Sequence, residues 1–173
     1  MKRQLKALQG QALSNKDVLD LVGNKARFEV YPNLKKYKSI DQLLGPHKAC
    51  VLLYETKQDY GHYVCVMKQG NNKYEFFDPY GDKPDGELKF IPENFREVSG
   101  QEYPHLCYLL YKSGGSVEYN DHKLQKKSQD VSTCGRHVAC RINFRDTPLE
   151  EYVKRLKGVR GMTPDEVVTV LTS

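Results

Sequence analysis

Cys134 stands in the segment Ser132-Thr133-Cys134-Gly135-Arg136, a small and polar setting where a loop gives way to an apolar run. A cysteine that opens a helix gains from the helix dipole and from free backbone N–H groups, both of which favour the thiolate. Nucleophilic catalysis by that sulfur needs a base, a group that orients the base, and donors for the oxyanion. His62 is the leading base. It follows Gly61 at the mouth of an apolar strand-like run, and Asp78 closes the next such run. The turn Gly70-Asn71-Asn72 marks the two runs as an antiparallel hairpin. That makes His62 and Asp78 cross-strand neighbours within about 5 Å. A carboxylate there holds the imidazole in one tautomer and stabilises the imidazolium. The backbone N–H of Cys134 and the side chain of Gln129 supply oxyanion donors, the amide worth about 3 kcal/mol in such chemistry. Gly135 leaves room for a substrate to approach.

Other readings of the same residues stand beside this one. His137 is a rival base, because i,i+3 on a helix sets it about 5–6 Å from Cys134, but it has no carboxylate near it in sequence. Gln129 also reads as a solvent-exposed glutamine, and Asp78-Pro79-Tyr80-Gly81 as a turn in which the aspartate caps its own backbone. Cys134, His137 and Cys140 invite a metal reading. On a helix they fan out over roughly 120° rather than converge, which argues against zinc; the thiol chemistry itself requires neither a metal nor an organic cofactor. The chain has five cysteines, irregularly spaced and without a C-x-x-C pair, which argues against a disulfide framework and a zinc ribbon. Cys50, Cys65 and Cys107 each lie in an apolar strand-like run and read as buried structural thiols.

The elements that must position these groups follow from the pattern. Ser14 caps a helix over Asp17–Val22 and Ser39 one over Ile40–Leu44, each with an acidic residue in its first turn; Gly45-Pro46 ends the second. Ala49–Tyr54, His62–Met67 and Tyr74–Asp78 read as strands, and His105–Tyr111 as a fourth. Residues 79–100 and 114–133 read as long loops. Helical spacing returns from Cys134 to Phe144; Thr147 caps a helix over Glu150–Leu156, and Thr163-Pro164-Asp165-Glu166 opens a last one. Helices, a strand cluster and helices again make an α+β plan. The expected organisation is a single domain over 1–173: a basic helical part at 1–48, a catalytic core at 49–145 and C-terminal helices at 146–173.

Composition bounds the function classes. With 173 residues, 39% hydrophobic and 28% charged, the chain reads as one ordinary globular domain rather than a disordered tail. Its longest apolar runs fall far short of the roughly 18 residues of a membrane helix. The start, Met-Lys-Arg-Gln-Leu-Lys, lacks the apolar core of a secretory signal. The net charge of +5 is concentrated at the front, where residues 1–48 carry ten Lys/Arg against four Asp/Glu. Such an excess steers a protein toward polyanions such as DNA, or is simply a solvated lysine-rich surface.

Gly61-His62-Tyr63, Phe77-Asp78-Pro79-Tyr80-Gly81, Gln129 and Ser132-Thr133-Cys134-Gly135, in this order, resemble the adenovirus-protease and SUMO-protease superfamily of cysteine peptidases. The resemblance spans about residues 49–145. The Thr-Cys-Gly-Arg-His segment looks most like the short maturation proteases of virophages, Polinton-type elements and related large DNA viruses. It implies a papain-like fold with a central mixed or antiparallel sheet flanked by helices and the nucleophile opening a central helix. It also implies His62 as general base, Asp78 as orienting acid, Gln129 as oxyanion donor and Cys134 as nucleophile. The implied activity is a thiol endopeptidase acting on viral capsid precursors in the virion and host-cell cytoplasm, as a monomer and without a membrane, with DNA a possible activator. The chain departs from the pattern in carrying Tyr63 where many members have Trp, and in placing Gln129 five residues before the cysteine instead of six or seven. Gln125 is the alternative donor. A SUMO or ubiquitin-like isopeptidase uses the same residues, and a basic nucleic-acid-binding scaffold on an inactive protease fold is the rival from another class.

Overall fold

The strand Ala49–Lys57 (β2) alternates its side chains between two cores, and this explains the architecture. Ala49, Val51 and Leu53 enter one buried cluster, while Cys50, Leu52 and Tyr54 enter the other. A strand apolar on both faces must be covered on both. The computed structural model, which describes residues 1–173, shows how. Five strands lie in the order β1-β2-β3-β4-β5, with β1 at Arg27–Val30, β3 at Tyr60–Gly70, β4 at Lys73–Phe77 and β5 at Ser116–Tyr119. The central three are antiparallel, whereas β1 pairs with β2 and β5 with β4 in parallel. The protein is therefore α+β, with a mixed sheet between two helical layers.

One layer holds α2 (Asn15–Val22), α6 (Cys134–Asn143), α7 (Leu149–Lys157) and α8 (Pro164–Leu171). Val18, Val138, Ile142, Tyr152, Val153 and Val168 of this layer meet Val51, Cys65 and Phe77 of the sheet. The other holds α3 (Ile40–Leu44), α5 (His105–Lys112) and a 3-10 turn at Tyr31–Lys36, packed on Leu52, Val64 and Phe76. The outlying helices are α1 (Lys2–Gln9), which buries no residue, and α4 (Glu93–Ser99). Caps close as expected on α2, α3 and α8: Ser14 and Thr163 form capping boxes with Asp17 and Glu166, and Ser39 accepts from the Gln42 N–H. No helix is long and apolar enough to cross a membrane.

Several expectations are corrected. His105–Tyr111 is helix, not strand, because only Leu106, Leu109 and Leu110 are buried, at helical spacing. Residues 79–100 are not one loop: a 3-10 turn at Gly86–Phe90 and α4 interrupt them, burying Leu88 and Ile91. Strand β5 interrupts residues 114–133, and β1 lies within the stretch read as wholly helical. Thr147 does not cap α7, whose N-cap is Pro148; instead the Thr147 carbonyl accepts from Arg141 at 2.9 Å. Arg141 is fully buried and holds α6 to β4 through two bonds to Glu75, at 2.7 and 2.8 Å. Removing one partner of such a pair costs about 3–5 kcal/mol.

Candidate active site

The hairpin brings the first two groups together. Its register pairs Cys65 with Phe77, which places His62 diagonally from Asp78 and level with Tyr80. The His62 Nε2 donates to Asp78 Oδ1 at 2.7 Å, with both residues buried. The same carboxylate oxygen accepts the Tyr80 N–H at 2.8 Å, and the Tyr80 ring stacks on the imidazole at 4.5 Å. Asn120, fully buried after β5, donates to the Asp78 carbonyl at 2.8 Å and fixes the turn from behind. Gly61 is required just before the histidine: a Cβ there would lie 1.8 Å from the Tyr54 carbonyl oxygen.

Cys134 is the first residue of α6 and is half-buried. Thr133, the N-cap, leaves the helix end uncapped, because its hydroxyl donates to Asp165 at 2.5 Å. The first-turn N–H groups are thus not spent on a side-chain cap, as an oxyanion site requires. With Nε2 committed to Asp78, Nδ1 is the ring nitrogen left free, and Cys134 lines the same cleft, near enough to bear on the charge of the imidazole. Burial disfavours the charged ring, yet Asp78 and then Cys134 outweigh it and raise the His62 pKa well above the usual imidazole range.

His62, Cys134, Gln125 and Gln129 all line one cleft of about 370 Å³. Within it the two glutamines differ. Gln129 is exposed, whereas Gln125 is buried, its Nε2 on the Tyr80 hydroxyl at 3.4 Å and its Oε1 without a partner. The backbone N–H of Gln125 is anchored to the Pro79 carbonyl at 2.9 Å. Glu87, on the 3-10 turn Gly86–Phe90, also lines the cleft, and burial raises its carboxyl pKa. One ligand atom each from His62, Asp78 and Glu87 lie within 4.8 Å of one another, the buried set with the donor chemistry for a cation. The His62–Asp78 hydrogen bond already engages two of its members.

Three expectations about these residues change. His137 does have a carboxylate: its Nε2 bonds Asp165 Oδ1 at 2.9 Å, far away in sequence and carried on α8. Fully buried, it ties the start of α6 to α8. Gly135 packs inward, where a Cβ would meet Val18 at 2.9 Å and Tyr63 at 3.3 Å, so it serves helix packing and not substrate access. Cys107 is exposed on α5, while Cys50, Cys65 and Cys140 are buried. Tyr80, Asn120 and Asp165 are site residues that the sequence reading missed. The hairpin register could have found Tyr80 opposite His62; Asn120 and Asp165 carry no local signal.

No protein-family model matches the chain. It is similar to "Uncharacterized protein V9" of Sputnik virophage, with 44% identity over 173 residues, 98% of this chain and 99% of that protein. Among solved structures it is similar to the central domain of the uncharacterized Lpg1148 protein from Legionella pneumophila, at 16% identity and a TM-score of 0.44 over 94% of each chain. That likeness is too distant to carry an argument.

Proposed function

The chain belongs to the family of the Sputnik virophage V9 protein and is a viral protein, and from that premise we propose that it is a cysteine endopeptidase that cuts viral structural precursors during virion maturation. The observation that carries this reading is the buried His62–Asp78 bond at 2.7 Å in the same cleft as Cys134, which opens a helix. In this reading the fold is papain-like, of the adenovirus-protease and SUMO-protease type.

The chemistry follows from the geometry. His62 Nδ1 takes the Cys134 proton, and Asp78 stabilises the imidazolium. The thiolate attacks a peptide carbonyl carbon, and the resulting oxyanion takes hydrogen bonds from first-turn N–H groups of α6 and a glutamine amide. Gln125 is the better-held amide, being buried and anchored, so the donor role is assigned to it ahead of Gln129. The C–N bond breaks as His62 returns its proton to the leaving amine. Water, deprotonated by His62, then hydrolyses the thioester to a carboxylate and restores the thiol. The enzyme would act in the virion and at the virus factory in host cytoplasm.

Co-expression with capsid precursors of the same virus, followed by mass measurement of new termini, tests the proposal. Cleavage that disappears with Cys134→Ala is expected; precursors left intact by the wild type would overturn it. A ubiquitin-like C-terminal fluorogenic substrate separates the isopeptidase reading, which rapid turnover would favour.

A further inference from the structure

Beside the cleft that holds Cys134 lies a larger one of about 870 Å³, within the size range of ligand clefts. The two share Tyr80, Gln125 and Val131 and so lie side by side. Six lysines line the larger cleft. Lys2 and Lys6 come from α1, Lys89 from the 3-10 turn Gly86–Phe90, and Lys123, Lys126 and Lys127 from the segment after β5.

The lysines outnumber the four carboxylates of the same lining, Asp82, Asp130, Asp165 and Glu166, and leave it with a net positive charge. No carboxylate lies within 4.0 Å of the ammonium of Lys2, Lys6, Lys89, Lys123 or Lys126, and Lys127 reaches only Asp82, at 4.0 Å. The other acids on the walls are held in place by hydrogen bonds, and Ser128, helped by Lys126 and Lys6, lowers the pKa of Asp130. Asp165 accepts from His137, Thr133 and the Lys126 N–H, Glu166 closes the capping box with Thr163, and Asp130 accepts the Ser128 hydroxyl. The lysine segment is also held in place. The Leu124 and Gln125 N–H groups both donate to the Pro79 carbonyl at 2.9 Å, and the Lys126 N–H to Asp165 at 2.9 Å. Pro79 directly follows Asp78, so the lysines are registered to the catalytic turn. The Lys127 ammonium sits over the Tyr80 and Phe90 rings, at 5.0 and 4.7 Å.

We propose that this cleft is a substrate subsite that takes an acidic peptide segment flanking the bond to be cut. The inference rests on the peptidase reading and extends it to specificity. A substrate segment is favoured over nucleic acid because this net-positive cleft adjoins the one that holds the nucleophile, so that a chain bound at Cys134 has its flanking residues beside the lysines. Each exposed ion pair contributes little, so preference arises from several acting together and weakens with salt.

The test digests a proteome-derived peptide library with the full-length protein at low and high sodium chloride, and reads cut sites by mass spectrometry. Asp and Glu are expected to be enriched on one side of the scissile bond, with about five- to tenfold faster cleavage than of neutral counterparts, shrinking at high salt. The double variant Lys123→Glu, Lys126→Glu should lose that enrichment while still cutting neutral peptides. Lys2→Glu with Lys6→Glu, on α1, should do the same and guards against a misfolded first variant. Cleavage without acidic enrichment, or enrichment unchanged in both variants, overturns the subsite and leaves the peptidase standing. No cleavage of any peptide overturns both. Saturable binding of a short DNA duplex, lost in the variants and without any acidic preference in cleavage, would assign the surface to nucleic acid and also overturn the proposal.

Discussion

His62 is bonded to Asp78 and shares a cleft with Cys134, and both neighbours set its charge state. Burial alone would keep the ring neutral; Asp78 and Cys134 reverse that and raise its pKa well above the usual value. The stabilisation of the charged ring is therefore complete below about pH 6.5 and is lost as the pH rises through the higher folded-state value. The alkaline limb of kcat/KM should accordingly fall well above pH 6.5. Asp78→Asn should move that limb toward acid and lower kcat by up to about 10⁴-fold, by analogy with loss of the orienting aspartate in other triads. A limb that stays in place would show that Asp78 does not hold the ring. The two glutamines separate by the same kind of measurement. Gln125→Ala should lower kcat by about 10²-fold or more, whereas exposed Gln129 should tolerate alanine; the reverse order would return the donor role to Gln129.

At the scale of elements, the site depends on how closely β2 and β3 approach. Gly61 sits opposite Glu55, and a Cβ at 1.8 Å from the Tyr54 carbonyl must push the strands apart beside His62. Gly61→Ala should cost at least about 1–3 kcal/mol, the usual range for overpacking, lowering Tm by several degrees and kcat with it; an unchanged Tm would contradict the packing. The joint between α6 and α8 makes a different prediction. His137→Ala should lower Tm by breaking the tie to Asp165, yet leave the alkaline limb of kcat/KM where it is, while His62→Ala abolishes turnover. The hairpin and α6 were legible in the sequence because their signals are local: an apolar run, a turn, a second run, and a polar loop before a helical repeat. The edge strands β1 and β5 were not. Both are four residues long, carry charges, and pair in parallel with strands remote in sequence, so no turn announces them. Helix α5 was misread because its seven residues from His105 are nearly all apolar or aromatic, and only tertiary burial of Leu106, Leu109 and Leu110 chooses the helical period. The Asp165 partner of His137 was invisible for the same reason.

Across the whole molecule, five free thiols fall into distinct environments. Burial raises the pKa of Cys50, Cys65 and Cys140, keeping them protonated inside the core. Cys107 is exposed as a residue, but its sulfur is tucked against the Pro84 carbonyl at 3.3 Å, and burial with the Asp85 carboxylate pushes its thiol up to about 12. Cys134 alone lines the cleft with His62. Each of the other four thiols is thus held protonated by its surroundings. The most direct measurement is the rate at which a thiol-reactive peptide probe modifies each cysteine at neutral pH, resolved by peptide mapping. Cys134 is expected to react far faster than Cys107, and His62→Ala to slow Cys134 sharply while leaving the Cys107 rate unchanged. Equal rates at the two cysteines in the wild type, or a Cys134 rate indifferent to His62→Ala, would contradict that expectation.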